Sequence, residues 1–289
     1  MSDSLQRLLE ILDLERIENN LFRGQNPTDS RRRLFGGQVL AQGLVAALRT
    51  VEGRLAHSLH AYFLRPGDPR VPTVFEVDRV RDGGTFATRL VKAIQHGEAI
   101  LNMSVSFQVD VEGLEHQIAM PAESGEPDGI LYEEEMRSGV EKLGFAPPEG
   151  DLLFHPPVEI RTVGGLRMFE ATSRPPHTNS WVRAKGQLPD DPAIHQCVLA
   201  YASDMTLLSN AINAHPVALA SPSFQSASLD HAMWFHRPFR IDDWLLYVME
   251  SPVSARSRGF CRGTFFTRNG QLVASCAQEG LIRLRSGGA

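Results

Sequence analysis

The strongest constraint on the fold of this chain is that the second half of the sequence repeats the pattern of the first half. Tyr62-Phe63-Leu64-Arg65-Pro66 is echoed by Trp234-Phe235-His236-Arg237-Pro238 at an offset of 172 residues. At an offset of 173, residues 89–107 align with residues 262–280, and each segment predicts two strands joined by a turn. Because both elements recur in the same order, the sequence predicts two similar units in one chain.

An apolar segment long enough for a helix precedes the repeated part in each half. These segments are residues 37–48 in the first half and residues 198–212 in the second half. The first segment carries apolar residues around most of a helical circumference, so other elements must surround it. The strand-like runs that follow it are residues 58–64, 74–81, 86–94 and 100–109.

A helix enclosed by an antiparallel sheet is a hotdog unit, so the sequence predicts an α+β fold of two tandem hotdog units, a double hotdog whose sheets join edge to edge. We expect an N-terminal unit at residues 1–110 and a C-terminal unit at residues 158–289. Residues 111–157 are rich in Glu, Gly and Pro and predict a linker, whose acidic triplet Glu133-Glu134-Glu135 is expected to face solvent. The pattern alone leaves open two unrelated α+β domains.

Length and charge narrow the possible classes of function. A chain of 289 residues is long enough for two domains with buried cores. Its net charge of -5, from 29 basic and 34 acidic residues spread along the chain, gives no cationic face for a nucleic-acid backbone. We therefore expect no nucleic-acid partner.

The termini and the cysteines bear on location. The first residues lack the basic and apolar regions of a signal peptide, and no run of about 18 apolar residues occurs, so neither export nor a membrane span is expected. The final residues, RSGGA, match neither a peroxisomal signal nor a prenylation signal. The three cysteines lack metal-ligand spacing and predict neither disulfides nor a zinc site. These observations favour the cytoplasm.

Several familiar catalytic motifs are missing from the sequence. It contains no G-x-S-x-G, no P-loop and no G-x-G-x-x-G, so nothing indicates an α/β-hydrolase, a nucleotide hydrolase or a dinucleotide-binding protein. His57 and His60 are separated by an odd number of residues in a strand-like segment, as are His231 and His236. Odd spacing predicts side chains on opposite faces of a strand, which argues against shared metal ligation.

Asp204 is the most informative polar residue because it lies in the apolar segment Leu199–Leu208. An unpaired buried carboxylate is costly or takes up a proton, so something must compensate it. One explanation is a helix N-cap at Ser203 or Asp204, where the helix dipole would keep the carboxylate ionised. Another is a carboxylate placed to accept a hydrogen bond from water, and the two explanations are compatible.

Two further polar residues occur in the second half only. A regular strand puts Gln278 on the same face as Cys276, although a glutamine in a strand is more often at an edge or on the surface. The first-half counterpart of Gln278 is Val105. Ser228 supplies a hydroxyl near the start of a strand, although a serine there is more often part of a turn. Polar residues that only one copy carries indicate one site per chain. Cys276 has no cationic neighbour in sequence and is expected to be an inert core thiol.

Seven ordered blocks of the sequence resemble the acyl-CoA thioesterase II family, which includes the bacterial TesB enzymes and the peroxisomal acyl-CoA thioesterases. The resemblance covers nearly the whole chain. The blocks are LFRGQNP (21–27), FGGQVLAQ (35–42), HAYFLRPGD (60–68), VRDGGTFATR (80–89), SDMTLL (203–208), LDHAMWFHRPF (229–239) and ASCAQEGLIR (274–283).

The resemblance implies a double hotdog fold and hydrolysis of medium- to long-chain acyl-CoA to a free fatty acid and CoA, without a cofactor. The family's catalytic aspartate, hydroxyl residue and glutamine fall on Asp204, Ser228 and Gln278. Ser228 stands where the bacterial prototype has threonine, so the hydroxyl is kept. We expect these side chains to hold a water against the thioester carbon, with Asp204 as general base and backbone amides near the central helix as the oxyanion hole.

Substrate binding and competing functions complete the hypothesis. An acidic chain needs a local cationic patch for the CoA phosphates, and Arg256 and Arg258 are the candidates, although surface arginines more often serve solubility. One alternative is a hotdog enoyl-CoA hydratase, which is expected to have a histidine shortly after the helix aspartate, but His215 is the next histidine after Asp204. Another is a non-catalytic acyl-CoA-binding protein.

We expect a homo-oligomer, a dimer of double hotdogs or larger, because such sheets leave edges and faces that often associate.

Overall fold

The computed structural model describes residues 1–27, 33–122, 125–144, 146, 151–221 and 223–284. The helices within them are α1 (Asp3–Leu12), α2 (Gly36–Leu48), α3 (Tyr132–Lys142), α4 (Pro192–Ser203) and α5 (Ser209–Asn213). The strands are β1 (Glu15–Glu18), β2 (Leu21–Gly24), β3 (Leu55–Phe63), β4 (Thr73–Asp82), β5 (Phe86–Gln95), β6 (Glu98–Gln108), β7 (Ile130–Leu131), β8 (Val158–Thr162), β9 (His177–Ala184), β10 (Phe224–Ser228), β11 (Asp230–Phe235), β12 (Leu245–Ala255), β13 (Arg258–Thr267) and β14 (Leu272–Leu284).

The strands of the described residues join into one 14-stranded antiparallel sheet. Its order is β1-β2-β4-β5-β6-β3-β11-β14-β13-β12-β9-β8-β7, and β10 also pairs with β14. The two halves meet where β3 pairs with β11, with His60 opposite Ala232. On either side of this junction the order is mirrored, since β6, β5 and β4 follow β3 as β14, β13 and β12 follow β11. The predicted α+β double hotdog is confirmed.

Two apolar helices fill the space that the sheet encloses. Every residue of α2 from Gly37 to Ala47 is buried, as its apolar circumference predicted. The α4 helix is buried from His195 to Ser203. The two helices pack against each other, and α2 also contacts strands β3 to β6. The helix pair therefore holds the two halves together from inside the sheet.

The helix predicted at residues 198–212 has different bounds in the structure. It begins at Pro192, where the Asp191 side chain accepts a hydrogen bond from the Ala193 amide and caps the first turn. It ends at Ser203, because the Asp204 amide turns to the carbonyl oxygen of Ala202 and does not continue the helical pattern. A turn then leads to the short helix α5, so the predicted single helix is wrong.

The segment predicted as a linker is docked onto the second half. Helix α3 lies within it, and the Glu135 carboxylate accepts hydrogen bonds of 2.7 and 3.0 Å from two backbone amides of residues 166–168. Glu133 forms an ion pair with Lys185. Of the acidic triplet, only Glu134 is exposed, because its two neighbours point towards the protein.

The connection that precedes α3 also packs against the second half. The Gln117 side chain donates to the carbonyl oxygen of Gly270 at 2.8 Å and accepts from the amide of Leu272 at 3.1 Å. Met120 packs against a second apolar cluster. The buried members of that cluster are Trp181, Leu246, Phe266 and Leu272. The connection therefore covers apolar surface of the second half.

A β-bulge in β3 changes the side of the sheet that His57 faces relative to His60. The register of β3 against β6 shifts between Ala56 and Ser58, so His57 turns to Ser106 and bonds its hydroxyl at 2.8 Å. His60 contacts Trp234 edge to face on the same outer side of the sheet. The prediction that these two histidines face opposite sides is therefore wrong, because strand alternation is interrupted between them.

No helix among the described residues is long and apolar enough to cross a membrane.

Candidate active site

Asp204, Ser228 and Gln278 meet at one point in the second half. The Gln278 side-chain amide donates to Asp204 Oδ1 at 2.6 Å and to Ser228 Oγ at 2.7 Å. The Ser228 hydroxyl donates to Asp204 Oδ1 at 3.2 Å. These residues form one hydrogen-bonded cluster, which we call the polar triad.

Strand pairing and a helix end bring the polar triad together. Asp204 is the residue immediately after α4, and Ser228 is the last residue of β10. Gln278 lies on the buried face of β14. Because β14 has 13 residues, it pairs with both β11 and β10, and Ser228 lies opposite Gly280. This register places Ser228 beside the segment of β14 that carries Gln278.

The carboxylate of Asp204 lies against the N-terminus of α2, a helix of the other half. A β-carbon on Gly36 would lie 2.7 Å from Asp204 Oδ2, so only glycine allows this approach. The backbone amide of Gly37 donates a hydrogen bond to the carboxylate. The expectation that Asp204 caps its own helix is wrong, since it follows the C-terminus of α4. The favourable dipole comes from α2, whose first amides lack partners within that helix.

Burial raises the pKa of Asp204 to about 6. Hydrogen bonds from Gln278, Ser228 and Gly37 and the charge of Arg33 act in the opposite direction without offsetting the loss of hydration. At neutral pH the carboxylate is therefore mostly ionised, yet it is a stronger base than an exposed aspartate. A pKa near the working pH suits a group that takes up a proton and then releases it.

The polar triad adjoins a cavity of about 590 Å³ lined by residues of both halves. Asp204 and Ser228 lie on its wall, and Gln278 is fully buried behind them. Much of the remaining wall is apolar and includes Leu34, Phe35, Val39, Met205, Leu208 and Leu219. A concave apolar site with a few converging polar groups can hold an extended apolar ligand beside a reacting centre.

Two arginines, Arg33 and Arg65, lie on the cavity wall. Arg65 forms an ion pair of 2.8 Å with Glu98. Arg33 donates to the carbonyl oxygen of Ser226 at 2.9 Å, which leaves further N–H groups of its guanidinium to meet a ligand. Sequence reasoning missed Arg33, although the run Arg31-Arg32-Arg33 is a local cationic signal in an acidic chain. Arg31 and Arg32 lie outside the described residues.

The arginines that the sequence proposed for CoA lie elsewhere. Arg256 is in the turn between β12 and β13, and Arg258 begins β13. Arg258 forms an ion pair of 2.8 Å with Glu279 on the neighbouring strand. Neither arginine is among the residues that line the cavity of the polar triad.

A second cavity, of about 720 Å³, has a different character. Most of its charged side chains pair with one another, as in the ion pairs of 2.8 Å between Arg183 and Glu159 and between Arg240 and Asp242. These pairs neutralise one another, and Asp243 on the same wall is exposed to solvent. Among the described residues, no group of three His, Cys, Asp or Glu side chains is arranged to hold a metal ion.

Cys276 is a buried thiol next to the site. Burial raises its pKa to about 12, so the sulfur stays protonated at physiological pH. Its Sγ lies 3.1 Å from the Tyr247 hydroxyl within the core. This environment agrees with the predicted inert role of Cys276.

The first half holds a structural arginine near the end of its central helix. Arg89 is fully buried, and its guanidinium donates to the Thr50 hydroxyl at 2.8 Å and to the Thr50 carbonyl oxygen at 2.9 Å. Thr50 is the second residue after α2, and Asp204 is the first residue after α4. Arg89 also pairs with Asp82 at 2.5 Å. The chain therefore stabilises one helix end with a buried cation and surrounds the other with the polar triad.

Comparisons with known proteins cover both halves. The family model described as acyl-CoA thioesterase matches residues 153–281, and that described as acyl-CoA thioesterase N-terminal domain matches residues 25–108. Acyl-CoA thioesterase 2 of Haemophilus influenzae is 39% identical over 284 residues, which cover 98% of this chain and 99% of that protein. Acyl-coenzyme A thioesterase 8 of Mus musculus is 39% identical, with 99% and 92% covered.

Solved structures show the same architecture. The chain is similar to the acyl-CoA thioesterase II TesB2 of Mycobacterium marinum, with a TM-score of 0.78, 43% identity, and 98% of this chain and 99% of the other covered. A hotdog-fold protein of Alicyclobacillus acidocaldarius has a TM-score of 0.75 at 20% identity, with 97% and 99% covered. The second likeness concerns the fold alone.

Proposed function

Because this chain belongs to the acyl-CoA thioesterase family, we propose that it hydrolyses medium- to long-chain fatty acyl-CoA with a water held by Asp204, Ser228 and Gln278. Membership of the family makes the chain an acyl-CoA thioester hydrolase. The observation that supports the finer proposal is the hydrogen-bonded polar triad on the wall of a largely apolar cavity.

The proposed reaction uses Asp204 as a general base. Asp204 removes a proton from water as the water oxygen bonds to the thioester carbon, and a tetrahedral intermediate forms. The intermediate then collapses, the carbon–sulfur bond breaks, and the proton on Asp204 passes to the leaving thiolate of CoA. General-base assistance of this kind contributes about 10²- to 10⁴-fold. Ser228 and Gln278 hold the carboxylate in orientation through their bonds to Oδ1.

The start of α2 suits the negative charge of the intermediate. Gly36 lies on the cavity wall, and the first amides of a helix have no intrahelical partner. We assign the oxyanion hole to these amides, with Gly36 as the first candidate donor. Each such donor contributes roughly 3 to 4 kcal/mol to transition-state stabilisation.

The acyl chain is proposed to lie along the apolar wall. Leu219→Trp adds bulk there, and we expect it to lower kcat/KM for C16 acyl-CoA while sparing C6 acyl-CoA. Each methylene that loses its burial costs about 0.8 kcal/mol of binding. Leu143→Trp, at an exposed position, is the matched control. An equal loss for both chain lengths would contradict this placement.

The CoA phosphates are proposed to meet a cation near the cavity. Arg33 is favoured by its place on the wall, while Arg256 and Arg258 remain the candidates drawn from sequence. Loss of a phosphate contact should raise KM more than it lowers kcat. Comparing Arg33→Ala, Arg256→Ala and Arg258→Ala for KM towards acyl-CoA assigns the contact to one of them.

The deciding experiment measures free CoA released from acyl-CoAs of C4 to C18 with a thiol reagent. Wild type is compared with Asp204→Asn, and Asp243→Asn, at an exposed aspartate, serves as the matched control. We expect release by wild type and by the control, and a loss of about 10²- to 10⁴-fold in Asp204→Asn.

Other outcomes separate the alternatives. Release by both wild type and Asp204→Asn would keep the hydrolase but move its base to another residue. Release by neither would direct attention to crotonyl-CoA hydration, the reaction of a hotdog hydratase, and to binding without turnover measured by calorimetry. The hydratase is disfavoured because the histidine beside Asp204, His231, is fully buried and lies off the cavity wall.

Location and assembly are further proposals. Cys197, Cys261 and Cys276 are free and buried, which agrees with a reducing compartment such as the cytoplasm. We also propose that double hotdogs associate into a dimer or a larger oligomer. Light scattering after size exclusion measures the mass in solution, and a mass of 32.0 kDa would contradict association.

A further inference from the structure

A fully buried histidine, His231, lies directly behind the polar triad. Its Nε2 is 2.9 Å from Ser203 Oγ, and its Nδ1 is 4.0 Å from Asp204 Oδ1. Among the described residues, Nδ1 has no hydrogen-bond partner. A buried polar atom without a partner is uncommon and costly, so its position next to Asp204 calls for an explanation.

The single hydroxyl proton of Ser203 can serve only one of its three neighbours, which are the Ala200 carbonyl oxygen, His231 Nε2 and Met233 Sδ. Ser203 Oγ donates to the carbonyl oxygen of Ala200 at 2.9 Å. That carbonyl needs this donor because the Asp204 amide, its usual helical partner, turns to Ala202. Ser203 Oγ must then accept from His231, so Nε2 carries the hydrogen and Nδ1 presents a bare lone pair. Burial lowers the pKa of His231 to about 3, which keeps the ring neutral.

We propose that His231 is a positioning residue that makes Asp204 a stronger base, because it presents this bare nitrogen to the carboxyl group. An ionised carboxylate only accepts hydrogen bonds, so a second acceptor beside it is unfavourable. The negative end of the imidazole dipole faces Asp204 in a medium of low dielectric constant, where such effects are strong. Both interactions favour the protonated carboxyl. The inference rests on the proposed role of Asp204 as the base.

Other groups around Asp204 act differently from His231. Arg33 is the charged group with a resolved electrostatic effect on the carboxylate among the described residues, and it favours the ionised form. Tyr247 on β12 and Cys276 on β14 also face Asp204, but burial raises both of their pKa values and keeps them neutral. His231 therefore opposes the effects of Arg33 and of the donors Gln278 and Ser228.

The test is the pH dependence of kcat/KM in the full chain. His231→Gln keeps an amide donor towards Ser203 and removes the ring nitrogen next to Asp204. We expect its acid limb to move to lower pH by about 0.5 to 1 unit and the plateau rate to fall several-fold, because a weaker base transfers the proton less well. Ser203→Ala frees Nε2, so the hydrogen can move to Nδ1 and donate to Asp204, and should shift the limb in the same direction.

A matched control and a second readout keep the test decisive. Met233→Leu alters another neighbour of the Ser203 hydroxyl and should leave the limb unchanged. The inference would be overturned if the acid limb of the kcat/KM profile lay at the same pH in His231→Gln, in Ser203→Ala and in wild type. If His231→Gln does not fold, the profile of Ser203→Ala decides alone. The titration of Asp204 can also be followed by NMR with 13C-labelled aspartate and assigned with Asp204→Asn. A lowered Asp204 pKa in the variants supports the inference even if Asp204→Asn retains turnover, a result that would remove only the proposed function.

Discussion

Gly36 and Asp204 are in a contact that a side chain at position 36 would prevent, since a β-carbon there would lie 2.7 Å from Asp204 Oδ2. Gly36 begins α2 in the first half, and Asp204 follows α4 in the second. The bare backbone at Gly36 lets the carboxylate reach the unpaired amides of the other helix. The site is therefore built by both halves, although its three polar side chains come from one.

Gly36→Ala should disturb the site with little effect on the fold. The added methyl group must push the Asp204 carboxylate aside, and a displacement of about 1 Å can cost on the order of 100-fold in rate. We expect that loss in kcat for acyl-CoA hydrolysis, measured by CoA release. Gly84→Ala, where a β-carbon meets no atom within 4 Å, is the control and should behave as wild type. Unchanged turnover in Gly36→Ala would mean that the contact is not required.

The buried carboxylate of Asp204 should lower the stability of the fold at neutral pH. Its pKa rises from 3.8 in the unfolded chain to about 6 in the fold, so its contribution is fully present below pH 3.8 and is lost as pH rises through about 6. The change corresponds to about 3 kcal/mol at most. Asp204→Asn does not titrate, so its stability advantage over wild type should grow from pH 4 to pH 8.

Thermal unfolding of wild type and Asp204→Asn across this pH range measures the difference. Asp243→Asn provides the baseline, because Asp243 is exposed. Above pH 6, the increase in Tm over wild type should be larger for Asp204→Asn than for Asp243→Asn. A difference in Tm that is independent of pH would show that the carboxyl titrates alike in the folded and unfolded chains.

Arg89→Met should destabilise the first half strongly. Arg89 is fully buried and bonds Thr50, Asp82 and the backbone, and its loss removes the buried donor to the Thr50 carbonyl oxygen and leaves the Thr50 hydroxyl with only its bond to Ala47. We expect a loss of about 3 kcal/mol in the free energy of unfolding, measured with urea. Arg79→Met is the matched control, because exposed Arg79 contacts the same Asp82 at 3.5 Å. That surface pair should contribute less than about 1 kcal/mol. Equal losses in the two variants would refute the assignment.

Gln117→Ala should loosen the connection between the halves. The change removes hydrogen bonds to Gly270 and Leu272, so we expect about 1 to 2 kcal/mol less stability and faster proteolysis near residues 110–122. Leu114→Ser, at a fully exposed position in the same segment, should change neither quantity. Limited proteolysis followed by mass spectrometry locates the cuts. Cleavage at the wild-type rate would show that the segment is held by other contacts.

The fold was predictable from sequence because its repeat and its apolar helix are local patterns with strong physical meaning. Residues 37–48 form α2 with almost the predicted bounds, and the four predicted first-half strands correspond to β3 to β6. The second helix was misplaced because its apolar run continues past Ser203 into a buried turn and α5. The run is apolar because the whole segment is buried, and not because it forms one continuous helix. The Asp191-Pro192 pair marks the true start of α4.

Site geometry was predictable only in part. Gln278 was correctly placed on the same face of β14 as Cys276, because strand alternation is a simple rule, whereas the burial of that face became visible only in the structure. The contact of Asp204 with the α2 N-terminus depends on how the halves pack, which no local pattern reveals. The same holds for His231, which strand alternation puts inside the sheet without indicating that Asp204 lies next to it.

The pairing of β3 with β11 closes the inner edge of each half. A half made alone would expose that strand with its free amides and carbonyls, and would tend to pair with a copy of itself. Two fragments cut within residues 111–122 would have to rebuild this strand pair to restore the interior. Because Gly36 and Asp204 would come from different fragments, turnover would return only after reunion. The chain is thus suited to serve as a split enzyme whose activity reports that two polypeptides have been brought together.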